Sequence, residues 1–305
     1  GAGVSPALKL KHTVFNVLVY RKIRAAMGGR LRYAISGGAP LGARLGFFYA
    51  GIGLTVLEGY GLTETTAPAM IARPSQIKNG KIGRTLPGCG VKIAADGEIL
   101  LRGNNIMRGY WRNPEATAEV FEGDWFRTGD IGELDADGFL SITGRKKELL
   151  VTAGGKNVAP AGLEDPLRAH PLIGQVVVVG DKKPFVSALI SLDSEMLASW
   201  LKNHGGDETL TIKKAAKNPM VLSEIQKAID QVNKSFSTAE SIRKFVVIPA
   251  ELTEKSGHLT PSLKIKREAV ARDFAKEIAE LYGDGKGNID RAVKRGSGAT
   301  AGLSR

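Results

Sequence analysis

Residues 7–27 set the apolar positions Leu8, Phe15, Leu18, Val19 and Ile23 against the basic Lys11, Arg21 and Arg24 at helical spacing, which predicts a helix. The Gly28-Gly29 pair ends it. Residues 30–36 read as a short strand running into a compact turn at Gly37-Gly38-Ala39-Pro40. Residues 41–51 then read as helix and 55–60 as a strand ending in Gly59-Tyr60-Gly61. This strand–turn–helix–strand order suits an α/β sheet. Past Pro87 the pattern shortens. Residues 97–102 (GEILLR) and 138–143 (GFLSIT) alternate with a period of two, bounded by Asp96-Gly97 and Asp137-Gly138, and predict a small antiparallel β region.

Residues 144–160 (GRKKELLVTAGGKNVAP) are polar and glycine-rich between two differently patterned halves, so a domain boundary belongs there. Beyond it, 162–170 predicts helix, and 175–180 and 185–192 predict buried strands. Helices follow at about 194–204 and 222–236, then a strand at 245–248. A last amphipathic helix is expected over about 262–282, opening at Ser262 and carrying Ile265, Val270, Phe274, Ile278 and Leu281. Residues 283–305, rich in glycine and polar side chains, predict a disordered tail.

Composition narrows the classes. The chain has 305 residues with 43% apolar and 24% charged, ordinary globular usage at a length that suggests about two domains. No apolar run approaches the ~18 residues of a membrane span, and the N-terminus lacks a signal-peptide pattern, so a cytoplasmic chain is expected. The single cysteine, Cys89, excludes an internal disulfide framework and a cysteine-based zinc site. A net charge of +12 raises nucleic acid as a partner, but no RNP pattern, zinc finger or basic zipper supports it. The charge is uneven: residues 1–50 hold eight basic side chains and no acid, a surface suited to anionic ligands or anionic lipid headgroups.

The familiar nucleotide-binding signatures fail. Gly154-Gly155-Lys156 is not a P-loop, because Leu150 stands where its first glycine belongs and Asn157 where Ser or Thr should be. Neither Gly51-Ile52-Gly53 nor Gly59-Tyr60-Gly61 completes a dinucleotide fingerprint, and the four histidines show no i, i+4 pairing. What stands out is a fixed order of unlike short motifs: SGGAP (36–40), YGLTE (60–64), DWFRTGD (124–130), GRKKE (144–148), GGKNVAP (154–160) and LTPSLKIKR (259–267).

This set resembles the adenylate-forming superfamily of acyl-CoA synthetases, luciferases and adenylation domains. Residues 124–160 are similar to the fatty acyl-CoA synthetase signature, and GRKKEL with LTPSLKIKR is similar to the long-chain type. The resemblance implies a large α/β domain, of which residues 1–146 would be the C-terminal part, and a small mobile α+β domain at 147–282. It also implies a chemistry: ATP converts a carboxylate to an acyl-adenylate with release of pyrophosphate, and the thiol of coenzyme A then displaces AMP. Under it, Gly38, Ala39 and Pro40 line an adenine pocket, Tyr60 followed by Gly61 stacks on the purine, and Thr63 meets phosphate. Glu64 binds Mg²⁺, a hard cation suited to a carboxylate oxygen. Asp130 accepts the ribose hydroxyls with Arg145 beside it, and Lys264 stabilises charge in the adenylation step. A glycine usually precedes this lysine in the family; here it is Leu263. Lys147 would be the hinge between two poses, and Gly154 and Gly155 would line the pantetheine channel.

The Ser/Thr/Gly-rich phosphate loop of that family is not found, so the chain is read as the C-terminal half of an enzyme about twice as long, without turnover alone. The leading function is long-chain fatty acid–CoA ligase, with ATP, Mg²⁺ and coenzyme A. Two other readings stand beside it: a fatty acyl-AMP ligase feeding a carrier protein, and a non-catalytic fragment holding nucleotide or anionic membrane. Expected partners are a long-chain fatty acid, ATP and coenzyme A, with no nucleic acid. Peripheral contact with the inner membrane surface and self-association through the truncated large domain complete the expectation.

Overall fold

The helical spacing over 7–27 folds as α1 (Pro6–Phe15), one π-helical turn (Asn16–Tyr20) and α2 (Arg21–Ala26). Ser5 caps α1 by accepting the Leu8 amide, with Pro6 in the first turn, and Gly28 and Gly29 stop the segment at positive φ. None of its residues is buried. The computed structural model describes residues 4–283, so the expected tail lies, apart from Gly283, outside the described residues. The chain divides into two compact units between Lys146 and Lys147.

In the first unit, β1 (Tyr33–Ser36), α3 (Ala43–Gly51) and β2 (Thr55–Tyr60) form a β-α-β element, the strands parallel with Tyr33 opposite Thr55 and Ser36 opposite Glu58. Short strands β3 (Met70–Ile71) and β4 (Arg84–Thr85) continue this sheet antiparallel. A second, antiparallel sheet holds β5 (Cys89–Ile93), β6 (Glu98–Gly103), β7 (Phe121–Glu122), β8 (Trp125–Leu134) and β9 (Leu140–Arg145), in the order β5-β6-β8-β7 with β9 also paired to β8; α4 (Pro114–Glu119) precedes β7. The long strand β8 was not predicted. Its inward positions are Phe126, Thr128, Asp130 and Gly132, so a strand with strict two-residue alternation of burial carries little alternation of hydrophobicity. Tyr60, Met70, Ile99, Leu101 and Leu140 join the two sheets in one core.

In the second unit, the hairpin β10 (Leu150–Val151) and β11 (Asn157–Val158) leads into α5 (Pro160–Arg168). The sheet order is β12 (Ile173–Val179), β13 (Val186–Leu192), β14 (Ile242–Val247), with β13 antiparallel to β12 and parallel to β14. Every residue of β13 is buried. Alternate side chains go to opposite faces: Val186, Ala188, Ile190 and Leu192 pack with α5, α6 (Ser194–Asn203) and α8 (Pro219–Asn233), while Leu189 packs with Val270 and Phe274. A short α7 (Ile212–Ala215) precedes α8, which starts earlier than its apolar pattern because Asn218 caps the Met220 and Val221 amides ahead of Pro219 in the first turn.

The expected helix over 262–282 is corrected. Residues 259–266 form a hairpin-like loop instead, and two helices follow, α9 (Arg267–Asp273) and α10 (Ala275–Tyr282). The Thr260 carbonyl accepts the Leu263 amide, its hydroxyl accepts the Lys264 amide, and Leu263 is left-handed at φ 60, which a helix opening at Ser262 cannot contain. Among the described residues, no helix is long and apolar enough to cross a membrane.

Candidate active site

The C-terminal end of β2 organises the first unit's site. Glu58 and Tyr60 are two residues apart and share one face of the strand. Glu58 Oε1 accepts the Leu41 amide at 2.9 Å, fastening the chain just after the exposed Gly38-Ala39-Pro40 turn to β2. Burial pushes the Glu58 carboxyl up, and that amide partly offsets it. The Tyr60 hydroxyl donates to Asp130 Oδ2 at 2.6 Å. Burial first, then the negative Asp130, pushes the phenol well above its ordinary value, so it remains a donor.

Asp130 is 3% exposed and lies directly opposite Arg145 in the β8–β9 ladder. That pairing brings Arg145 Nε to 2.8 Å from Asp130 Oδ1. Tyr60 and Arg145 thus hold the two carboxylate oxygens from different strands and fix the direction in which Asp130 presents them. The structure therefore brings Tyr60, Asp130 and Arg145 together. It also leaves Tyr60 buried, 7% exposed, with its hydroxyl orienting Asp130.

Gly61 permits the return that follows. A Cβ there would fall 2.3 Å from the Ala67 carbonyl oxygen. Within the returning segment, Thr65 is fully buried and its hydroxyl oxygen accepts the Leu62 amide at 2.8 Å, closing a 3₁₀ turn over Thr63–Thr65. Thr63 stays exposed and Glu64 half-buried. The Tyr110 hydroxyl donates to Glu64 Oε1 at 3.0 Å, and the Met107 amide donates to the Glu64 carbonyl at 2.7 Å. Among the described residues no cluster of three or more His, Cys, Asp or Glu could enclose a metal. A lone carboxylate fits Mg²⁺, which keeps several waters and takes its other ligands from substrate phosphates.

A second buried carboxylate lies on the same sheet. Glu98, 3% exposed, accepts from Arg127 Nη2 at 2.8 Å, Lys146 Nζ at 2.9 Å and the Gly129 amide at 3.0 Å. Burial works against its charge, but Lys146 and Arg127 prevail and hold the carboxyl below its usual range. Lys146 also reaches Asp96 at 2.6 Å.

In the second unit, Lys147 is exposed within a 3₁₀ turn (Lys146–Glu148). Gly154 and Gly155 are exposed between β10 and β11, where the Gly155 amide donates to the Thr152 carbonyl at 2.8 Å. Lys264 sits near the tip of the 259–266 loop with its side chain in solvent. Of the three cations in LTPSLKIKR, Arg267 turns inward: its guanidinium bonds both oxygens of the buried Glu164 and one of Glu148. Sequence reading missed Glu58, Tyr110, Glu98 and Glu164. Of these, Glu98 and Glu164 carry a legible sign, a carboxylate inside an otherwise core-forming pattern (EILL and GLEDPL).

The chain belongs to the AMP-binding, adenylate-forming enzyme family: the family model described as AMP-binding enzyme matches residues 8–111, and that of the AMP-binding enzyme C-terminal domain matches residues 147–286. It is similar to the long-chain-fatty-acid–CoA ligase FadD15 of Mycobacterium tuberculosis, with 54% identity over 275 residues, 90% of this chain and 46% of that protein. Among solved structures it is similar to an anthranilate CoA ligase in complex with anthranoyl-AMP (TM-score 0.63, 25% identity, 82% of this chain and 46% of that one). It is likewise similar to the O-succinylbenzoate coenzyme A synthetase of Bacillus subtilis in complex with ATP and magnesium ion (TM-score 0.60, 26% identity, 78% and 46%). The chain spans about half the length of the curated relatives it matches.

Proposed function

We propose that this chain is the C-terminal half of a long-chain fatty acid–CoA ligase, with residues 1–146 completing the large domain and 147–282 forming a small domain that turns about Lys147. The 54% identity to a protein of that name carries the substrate class. The buried Asp130, oriented by Tyr60 and Arg145, supports the nucleotide role. In the first step a fatty carboxylate oxygen attacks the α-phosphorus of ATP, and the bond to the bridging oxygen breaks as pyrophosphate leaves. Asp130 accepts the ribose hydroxyls beside Arg145, the Gly38-Ala39-Pro40 turn borders the adenine, and Tyr60 stacks on the purine. Thr63 donates to phosphate, and Glu64 would hold Mg²⁺, which would supply charge neutralisation on the phosphates. Lys264 stabilises the charge on the attacking carboxylate and α-phosphate oxygens. In the second step the coenzyme A thiol, passing Gly154 and Gly155, attacks the acyl carbon and expels AMP.

Peripheral contact with an anionic membrane on the cytoplasmic side belongs to the same proposal. It is supported by the exposed apolar side chains and the basic side chains of residues 4–26. Self-association of the isolated chain is supported by β1, an edge strand whose Ile35 is 71% exposed.

The test is Lys264→Ala in the full-length protein. ATP–pyrophosphate exchange with palmitate is expected to fall about 10²-fold or more, while CoA transfer to supplied acyl-adenylate survives. Unchanged exchange would remove Lys264 from the chemistry and make Lys266 the next candidate.

A further inference from the structure

The tip of the Lys264 loop makes little packing, whereas Leu259 and Ile265 at its two ends join the core with Ile248, Val270 and Phe274. Residues 261–264 are exposed, so the place of Lys264 depends on how the two ends of the loop are anchored. On the entering side the Leu259–Ile265 bridge is reinforced by the Lys266 amide, which donates to the His258 carbonyl at 2.8 Å. His258 is itself buried between the Ser256 hydroxyl and Asp273. On the leaving side stands Arg267, the first residue of α9.

The Arg267 guanidinium commits three nitrogens. Nη1 and Nη2 fork onto Glu164 Oε1 and Oε2 at 2.8 and 2.6 Å, and Nε donates to Glu148 Oε2 at 3.0 Å. Glu164 lies in α5, 2% exposed, and its Oε1 also accepts the Val178 amide of β12 at 2.7 Å. Burial opposes the charge on Arg267, yet the two carboxylates hold its proton even more firmly than in water. A planar fork gripping a fixed carboxylate sets direction as well as distance, which a lysine ammonium does not. Glu148 is the residue after Lys147. One side chain thus ties the segment that follows the unit boundary, the α5–β12 core and the exit of the Lys264 loop.

We propose that Arg267 is a positioning residue for the adenylation step: by binding Glu148 and Glu164 together it locks the Lys264 loop and the segment after Lys147 into one rigid body. This rests on the reading of Lys264 given above, and the two can be judged separately. Arg267→Lys in the full-length protein keeps the positive charge and loses the fork. Acyl-adenylate formation is expected to fall about tenfold to a hundredfold with the KM values for ATP and fatty acid unchanged, and CoA transfer to supplied acyl-adenylate to stay within about twofold. Amide hydrogen exchange across 259–266 is expected to rise by about tenfold in the same variant. Unchanged exchange there overturns the anchoring. Faster exchange with undiminished adenylation, beside a Lys264→Ala control that does lose it, overturns the positioning role. A Lys264→Ala control that keeps full adenylation defeats the reading of Lys264 and the catalytic half of this proposal with it, and exchange alone then decides the anchor. Should Arg267→Lys fail to fold, Glu148→Ala leaves the buried Glu164 pair intact. It is expected to speed exchange across 259–266 about threefold, and no change would overturn the anchor.

Discussion

Asp135 gathers three donors at the turn between β8 and β9: Lys78 Nζ at 2.8 Å and the Phe139 and Asp137 amides at 2.9 and 3.0 Å. Lys78 foremost, then those amides, lowers the carboxyl from its ordinary 3.8 to about 2. Because the folded value is the lower one, this group's contribution to stability is fully present above about pH 4 and fades as pH falls through 2. Lys78→Met is expected to return the Asp135 midpoint most of the way toward 3.8, read by carboxyl-carbon NMR titration; a midpoint still near 2 would assign the effect to the amides alone. At this scale the sequence discloses roles that a motif carries, such as Asp130 in RTGD or Lys264 in LKIKR. It conceals those that arise only from meetings across the chain: Tyr60 with Asp130, Tyr110 with Glu64, Arg267 with Glu164. Neither partner's own neighbours announce the other.

Elements were legible where burial and hydrophobicity coincide. The β12–β13 hairpin, α6 and α8 are readable because their inward positions are aliphatic. Strand β8 is not, because it spends inward positions on Thr128, Asp130 and Gly132 to build a site. The loop over 259–266 escaped for another reason: Ile265, Val270 and Phe274 keep helical spacing, although Ile265 pairs with Leu259 instead of continuing α9 backward. Leu263 shows why the related pattern carries a glycine before the lysine, since its left-handed φ of 60 costs an L-residue about 1–2 kcal/mol. The side chain gains little in return, being 66% exposed. Leu263→Gly is therefore expected to stabilise the chain by up to about 1 kcal/mol, the relief exceeding the entropy glycine adds to the unfolded state. Denaturant unfolding followed by circular dichroism measures it; a clear loss of stability would mean the leucine makes an apolar contact that outweighs its backbone.

At the scale of the molecule, the polar run 144–160 announced a change of texture, and the division of contacts falls between Lys146 and Lys147. Under the proposed two-pose cycle, Lys147→Pro, which fixes φ near −65° and deletes an amide donor, is expected to preserve pyrophosphate exchange and abolish CoA transfer. Supplied acyl-adenylate should not rescue the transfer. Equal loss of both half-reactions would make the site structural instead of a pivot.

The pinning of Lys146 has a chemical corollary. Its ammonium is hydrogen-bonded to Asp96 and Glu98, which raise its affinity for the proton, whereas no side-chain partner holds the exposed Lys147 among the described residues. Amine-acylating reagents consume only the neutral form, so the firmly held proton slows the reaction of Lys146. Brief treatment with an activated ester followed by peptide mass spectrometry is expected to label Lys147 well before Lys146. Replacing Glu98 with glutamine should narrow the gap. A two-residue stretch then becomes its own internal standard: one amine reports the integrity of the Glu98 cage, and its exposed neighbour supplies the reference rate.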